Sequence, residues 1–224
     1  DGVKTPKLVY LQTNSFGSLI KKIANTNGDT VGSRKPYFAR CFDETNDVGD
    51  GRPLIDINHQ TKFPDIDKFE FVYNGPHFTI LNPVAQSPKT IYKSNNDYQF
   101  VDLLLIDDSF LPNTKYIPDS KNAFKVELEI FKINWYESYR WATRAMVGSN
   151  SERTLQGAII PPKSIHINGV LSLMFKNEKD LLSFSTLMAS IIMDFYVKIN
   201  GWKNIHPNSV TKLPLGNEYI NNSS

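Results

Sequence analysis

The feature that most constrains this chain is its one long apolar stretch, from Leu181 to Val197. Ser183, Ser185, Thr186, Ser190 and Asp194 interrupt it, and Lys179 and Lys198 flank it. Its 17 residues sit at the short limit for crossing a bilayer. The bulky side chains recur at 181, 184, 188, 191, 195 and 199, alternating steps of three and four that trace one face of a helix. The pattern predicts a single buried core helix over about 178–199. Asn177 is its N-cap, Glu178 and Asp180 complement the dipole of its first turn, and Asn200-Gly201 stops it.

The rest of the chain is cut into shorter pieces. Seven of the thirteen prolines fall between residues 49 and 122. The β-branched and aromatic runs Phe69–Tyr73, Phe78–Leu81 and Phe100–Ile106 lie between these breaks and read as strands. Residues 124–133 (FKVELEIFKI) alternate apolar and charged side chains, the mark of a half-exposed strand. Leu155–Ile160 and Ile165–Phe175 read as strands around Pro161-Pro162. Tyr136–Met146 fits either a helix or a strand, since Arg140 and Arg144 share a face in both. A short amphipathic helix is expected over about Ser15–Asn25, with Phe16, Leu19, Ile20 and Ile23 on one side. The class is α+β: a mostly β first part, then an α+β part carrying the long C-terminal helix. The organisation expected is one unit over 1–224, with a subdivision into 1–120, mainly β, and 121–224, α+β.

Composition narrows the function classes. A chain of 224 residues that is 40% apolar buries a sizeable core and is not a disordered tail. The single cysteine, Cys41, excludes an internal disulfide framework and a cysteine zinc cluster, and fits a reducing, cytoplasmic setting with no membrane partner. The N-terminus has neither an initiating Met nor an apolar signal core, so the chain is expected to be a fragment of a longer one. The net charge of +2 hides a strong segregation. Residues 1–40 carry seven bases and two acids, residues 41–120 six bases and thirteen acids, and residues 121–224 twelve bases and eight acids. Two basic segments that meet in space would make a phosphate-facing surface.

Catalytic parts are hard to find. His59, His77, His166 and His206 are widely spaced, without metal-ligand spacing. Phosphate-loop, dinucleotide and nucleophile-elbow motifs do not occur. Asp119-Ser120-Lys121 has a nuclease-like form, with Asp65 as its upstream partner, but three-residue matches arise by chance in most chains. A Mg²⁺-dependent nuclease is therefore the weaker alternative. Trp135, Trp141 and Trp202 would anchor another: a non-enzymatic module binding protein or carbohydrate.

Binding chemistry is better represented. Residues 136–163 place Arg140, Arg144 and Arg153 among Ser149, Asn150 and Thr154, with Glu137 and Glu152 as the acids. Arginine supplies forked donors that match guanine or phosphate, and Asn and hydroxyl side chains reach adenine edges or phosphate oxygens. The competing reading is structural: Arg153 and Glu152 form an ion pair, and Arg140 or Arg144 ties strands together. Arg140, Arg144, Ser149, Asn150, Arg153 and Thr154 are all assigned to DNA contact; Arg140, Arg144 and Asn150 are the stronger members, and Arg153 also has a partly structural role. Lys89, Lys93 and Lys203 lie in loop-like segments with few acids nearby and are assigned to phosphate contact.

Arg140-x3-Arg144, Ser149-Asn150-x-Glu152-Arg153-Thr154 and Ile159-Ile160-Pro161-Pro162 resemble the C-terminal specificity region of large bacterial adenine-N6 DNA methyltransferases. Fused methyltransferase–endonuclease (type IIG) restriction enzymes belong to that group. The likeness extends through Gly75-Pro76-His77, Asn82-Pro83, Pro88-Lys89, Asp97-Tyr98, Asp102-Leu103 and Leu111-Pro112-x-Thr114-x-Tyr116-x-Pro118, and downstream to Gly201 and Leu213-Pro214. It covers residues 70–215. Asn82-Pro83 is followed by Val84-Ala85, so the Asn-Pro-Pro-Tyr motif that holds a flipped base is not completed here. The resemblance implies a target recognition domain that reads double-stranded DNA in the major groove for restriction-modification. It implies no catalysis and no cofactor within this fragment. Methyl transfer, S-adenosylmethionine, and Mg²⁺ where the parent also cleaves DNA, would belong to an upstream methyltransferase domain of the same parent chain.

Overall fold

A computed structural model of the chain describes residues 29–39, 41–49, 54–57, 71–94, 96–119, 127–128, 133–148 and 151–215, with Ser15, Gly17, Ser18, Lys21 and Lys22. The architecture is mixed α+β, with strands concentrated in the first part and helices at the C-terminal end. Its centre is a four-stranded antiparallel sheet of β1 (Tyr37–Ala39), β9 (Arg140–Arg144), β10 (Gly157–Ile160) and β12 (Val170–Met174), in the order β1-β12-β9-β10. The stretch left open between helix and strand is thus strand β9. Smaller two-stranded pieces surround it. β3 (Val72–Tyr73) runs parallel to β11 (Ile165–His166), β2 (Leu54–Asp56) pairs with β6 (Tyr116–Pro118), and β4 (Gln86–Pro88) pairs with β5 (Tyr98–Phe100). Strands from both sides of residue 120 pair, β1 with β12 and β3 with β11.

The sheet is covered on both faces, which explains why all five residues of β12 are buried. On one face Trp141, Leu171 and Leu173 pack with Phe184, Met188, Met193 and Val197 of the helices. On the other, Ala142, Ala158, Ile160 and Val170 meet Phe71, Tyr73 and Phe78. Small residues let the layers close. A Cβ on Gly157 would stand 2.5 Å from the Trp141 ring and 2.8 Å from the Ala142 carbonyl oxygen, so only glycine fits there.

The expected single helix is two. α1 (Glu178–Ala189) and α2 (Ile191–Ile199) meet at a 69° bend. Asn177 caps α1 as expected, its side chain accepting from the Lys179 amide, and Gly201 follows α2 at φ 61°. Ser190 makes the break: its backbone is extended, and its Oγ accepts from the Met193 amide as the N-cap of α2. Beyond it the buried face rotates to Met193, Asp194 and Val197, while Ile191 and Ile192 turn outward. The short α3 (Pro207–Val210) follows. No single helix among the described residues is long and apolar enough to cross a membrane; α1 and α2 pass that test only as the bent pair.

Three strand expectations are corrected. Leu81 adopts φ 58°, so 78–81 is irregular and bends at 80–81, running into an Asx turn in which Asn82 Oδ1 accepts from the Val84 amide. β5 stops at Phe100, because Asp102 Oδ1 accepts from Leu104 and closes another turn. Of 124–133, only Glu127, Leu128 and Ile133 are described; β7 (Glu127–Leu128) and β8 (Ile133–Asn134) pair antiparallel with each other, which one continuous strand cannot do. The apolar residues of the expected helix over 15–25 lie outside the described residues, although Ser15, Gly17, Ser18, Lys21 and Lys22 are helical.

Candidate nucleic-acid interface

Arg140 and Arg144 stand at the two ends of β9, on the sheet face away from the helices, and their surroundings differ completely. Arg140 has no exposed surface. Its guanidinium stacks 4.3 Å from the centroid of the Trp135 ring. Nε donates to the Ser138 carbonyl and Nη2 to the Ser164 carbonyl. Burial brings its pKa down to about 10, so it remains a cation at neutral pH. The adjacent Cys41 thiol does not supply an anion, since burial pushes it up to about 12. Carbonyl dipoles and an aromatic face thus hold this charge. Arg140 is removed from the DNA-contact candidates: a sealed guanidinium cannot reach a base or a phosphate.

Arg144 is only half-buried. Its Nη1 donates to Gln156 Oε1 at 2.7 Å, and its backbone amide donates to the Gln156 carbonyl. Gly75 approaches its side chain, with the glycine's Cβ position 3.6 Å from Nε. Partial burial pulls the pKa of Arg144 down, so desolvation is already part of its setting, yet its bonded partner is a neutral amide. A charge held in this way keeps donors for an anionic or acceptor-rich ligand.

The chain leaving β9 is flanked by bases. Val147 donates to the Lys203 carbonyl, Ile205 donates to the Ala145 carbonyl, and Met146 pairs with Asn204. Segment 145–147 therefore runs beside 203–205, which brings Lys203 near the Arg144 end. Lys198 Nζ lies 3.4 Å from the Ser151 carbonyl oxygen. Ser149 and Asn150 lie outside the described residues. Sequence reasoning missed Lys198 and Gln156; only the folded packing of α2 and the end of β9 brings them here.

Arg153 and Thr154 serve the fold. Arg153 Nη2 donates to the Ala189 carbonyl at 2.6 Å, and Nε lies 3.6 Å from Asp194 Oδ2. Thr154 is buried; its amide and hydroxyl, with the Leu155 amide, donate to Asp194 Oδ1 at 2.7, 2.8 and 2.8 Å. The partner carboxylate of Arg153 is thus Asp194, not Glu152, which is exposed. Thr154 is corrected from DNA contact to a structural role, because its hydroxyl is committed to a buried acid.

Lys89 and Lys93 are exposed on the β4–β5 hairpin, but not in the acid-poor setting expected. Asp97 Oδ2 accepts from the Lys93 and Ser94 amides. Those bonds hold its carboxyl below the usual range, with Lys89 adding to the effect. Trp135 and Trp141 are buried and Trp202 is half-buried, so the first two are core residues, not ligand anchors. Of the nuclease candidates, Asp119 is half-buried, and Asp65 and Lys121 lie outside the described residues.

No protein-family model matches the chain, and no curated protein matches it either.

Proposed function

We propose that the chain is a DNA target recognition domain of a restriction-modification methyltransferase, binding duplex DNA without doing chemistry itself. The observation that carries this reading is Arg144: a half-buried guanidinium whose bonded partner is the neutral Gln156 amide, at the end of a strand that continues into a segment bonded to the Lys203 carbonyl at Val147 and to Lys198 Nζ at Ser151. Arginine held with donors to spare is the commonest reader of guanine O6 and N7, and lysines at its flank suit phosphate. Lys203 keeps its assignment to phosphate, Lys198 joins it, and Lys89 and Lys93 become weaker members of the set because Asp97 sits with them. The motif resemblance over 70–215 supports the same reading, and assigns methyl transfer and S-adenosylmethionine to an upstream domain of the parent chain.

Gln156→Glu tests it. A carboxylate at that position would close on Arg144 as an ion pair and repel phosphate, so binding to a pool of random duplex DNA should fall at least as far as with Arg144→Ala, about tenfold. Lys198→Ala or Lys203→Ala should weaken binding uniformly and lower the salt slope by about one. Unchanged affinity in both Gln156→Glu and Arg144→Ala would remove this end of β9 from any DNA interface.

A further inference from the structure

The most exposed large apolar side chains among the described residues lie on the acidic part of the chain. Phe100, Leu104 and Leu105 are 83%, 92% and 84% exposed, Leu103 is half exposed, and Phe110 is also at the surface. Patches of this kind on a protein surface mark interaction sites more often than accidents. These side chains belong to a loop with its ends pinned. Val101 donates to the Ala85 carbonyl at 3.0 Å, and Asn113 donates to Ser87 Oγ at 2.9 Å. Between the pins, two Asx turns fix the backbone. Asp102 Oδ1 accepts from Leu104 and the Asp102 carbonyl from Leu105; Asp107 Oδ1 accepts from the Ser109 amide and hydroxyl. The turns present the leucines outward as part of a built element.

The charge around them says what can cover them. Residues 98–114 contain Asp102, Asp107 and Asp108 and not one Lys, Arg or His, while Lys89 and Lys93 sit with Asp97 at the opposite end of the β4–β5 hairpin. The hydroxyl and amide of Ser109 hold the Asp107 carboxyl below its usual range, so it is ionised at neutral pH. Such a surface repels nucleic-acid phosphate and anionic lipid headgroups. Pairing with the same loop of a second copy would set six carboxylates against one another. A partner that satisfies both the leucines and the aspartates has an apolar stripe or groove rimmed by Lys and Arg, the usual plan of a protein interface with apolar centre and charged rim.

We propose that loop 100–110 is a docking surface for a protein partner bearing a basic-rimmed apolar face, separate from the Arg144 end and independent of the DNA reading. The probe is a fluorescently labelled amphipathic helical peptide built of Leu and Lys, with a Leu/Glu peptide as its charge-inverted control. The whole chain should bind the Leu/Lys peptide saturably, less tightly as salt rises, and should not bind the Leu/Glu peptide. Leu104→Ser with Leu105→Ser should weaken that binding by about tenfold or more, as should Asp108→Lys. Both variants alter exposed positions, so their melting temperatures should match the parent and their duplex DNA binding should be unchanged.

Equal binding of the two peptides, no saturable binding of either, or indifference to the Leu104/Leu105 change would overturn the proposal. So would a dimer of the chain alone that the same double substitution dissolves, or adsorption to phosphatidylcholine–phosphatidylserine vesicles that it abolishes. Loss of DNA binding in Arg144→Ala leaves this loop untouched, so either reading can fail without the other.

Discussion

The two ends of strand β9 carry the same residue four positions apart, on the same face of the same sheet, and the fold treats them in opposite ways. At one end Arg140 is sealed under Trp135, with carbonyls of Ser138 and Ser164 as its partners. At the other, Arg144 stays half-open against a glutamine amide. Spacing sets which face a side chain takes, but the layer packed against that face decides whether its charge holds the fold or meets a ligand. Trp135, Ser138 and Ser164 close over one end of the strand. At the other, Gly75 adds no side chain, and the strand runs on into a turn flanked by Lys198 and Lys203.

Truncating the two arginines should separate the ends most sharply. Arg140→Ala removes a buried cation, leaves two carbonyls without their donors and opens a void, at a cost of about 3–5 kcal/mol by denaturant unfolding. Arg144→Ala should cost less than about 1 kcal/mol, as a partly exposed side chain. Equal losses would mean that both ends are structural and would sink the contrast.

Acid should act on the sealed end. Burial brings the His166 pKa down to about 3, with Arg140 adding to it, against an ordinary value of 6.5. Its Nδ1 donates to the Ile167 carbonyl at 2.9 Å, and its Nε2 accepts from Ser172 Oγ at 2.7 Å, a neutral imidazole. Burial also lowers the pKa of His77, whose Nδ1 accepts from the Asn74 amide and whose Nε2 donates to the Asn113 carbonyl. Between pH 6.5 and 3 the unfolded chain takes up a proton at position 166 that the folded chain does not. Stability therefore falls as pH drops, by about 2 kcal/mol at pH 5 from His166 alone. A melting temperature flat from pH 7 to 5 would show that the site admits the imidazolium.

What was legible in the sequence was local. Asn177 reads as a cap because its side chain has only its own first turn to serve, and Asn200-Gly201 as a stop because a positive φ favours glycine. The α+β class followed from such signals. Long-range partners were not legible. Ser190 and Asp194 looked like two polar interruptions of one apolar helix; in the fold the first ends α1, and the second accepts from Thr154 and Leu155, some forty residues earlier in the chain. Arg140 and Arg144 were equivalent by periodicity, and nothing in their spacing foretold that Trp135 covers one and Gln156 supports the other. The run 100–106 looked like a strand because its apolar residues outweighed Asp102, which closes a turn instead.

The smallest effect tests how the open end is held. Ser190 breaks the helix so that the Ala189 carbonyl faces Arg153 and Asp194 faces Thr154. Both contacts fix the strand entering β10, which in turn places Gln156 beside Arg144. Ser190→Ala removes the cap of α2, since Ser190 Oγ no longer accepts from Met193, and should cost about 1 kcal/mol. If the break positions the open end, the same substitution should weaken duplex DNA binding modestly and leave the acid transition of His166 where it was, because that histidine lies among Ser172, Ile167 and Arg140. A shift of the acid transition with DNA binding intact would reverse the assignment, making the helix break a support of the sealed end.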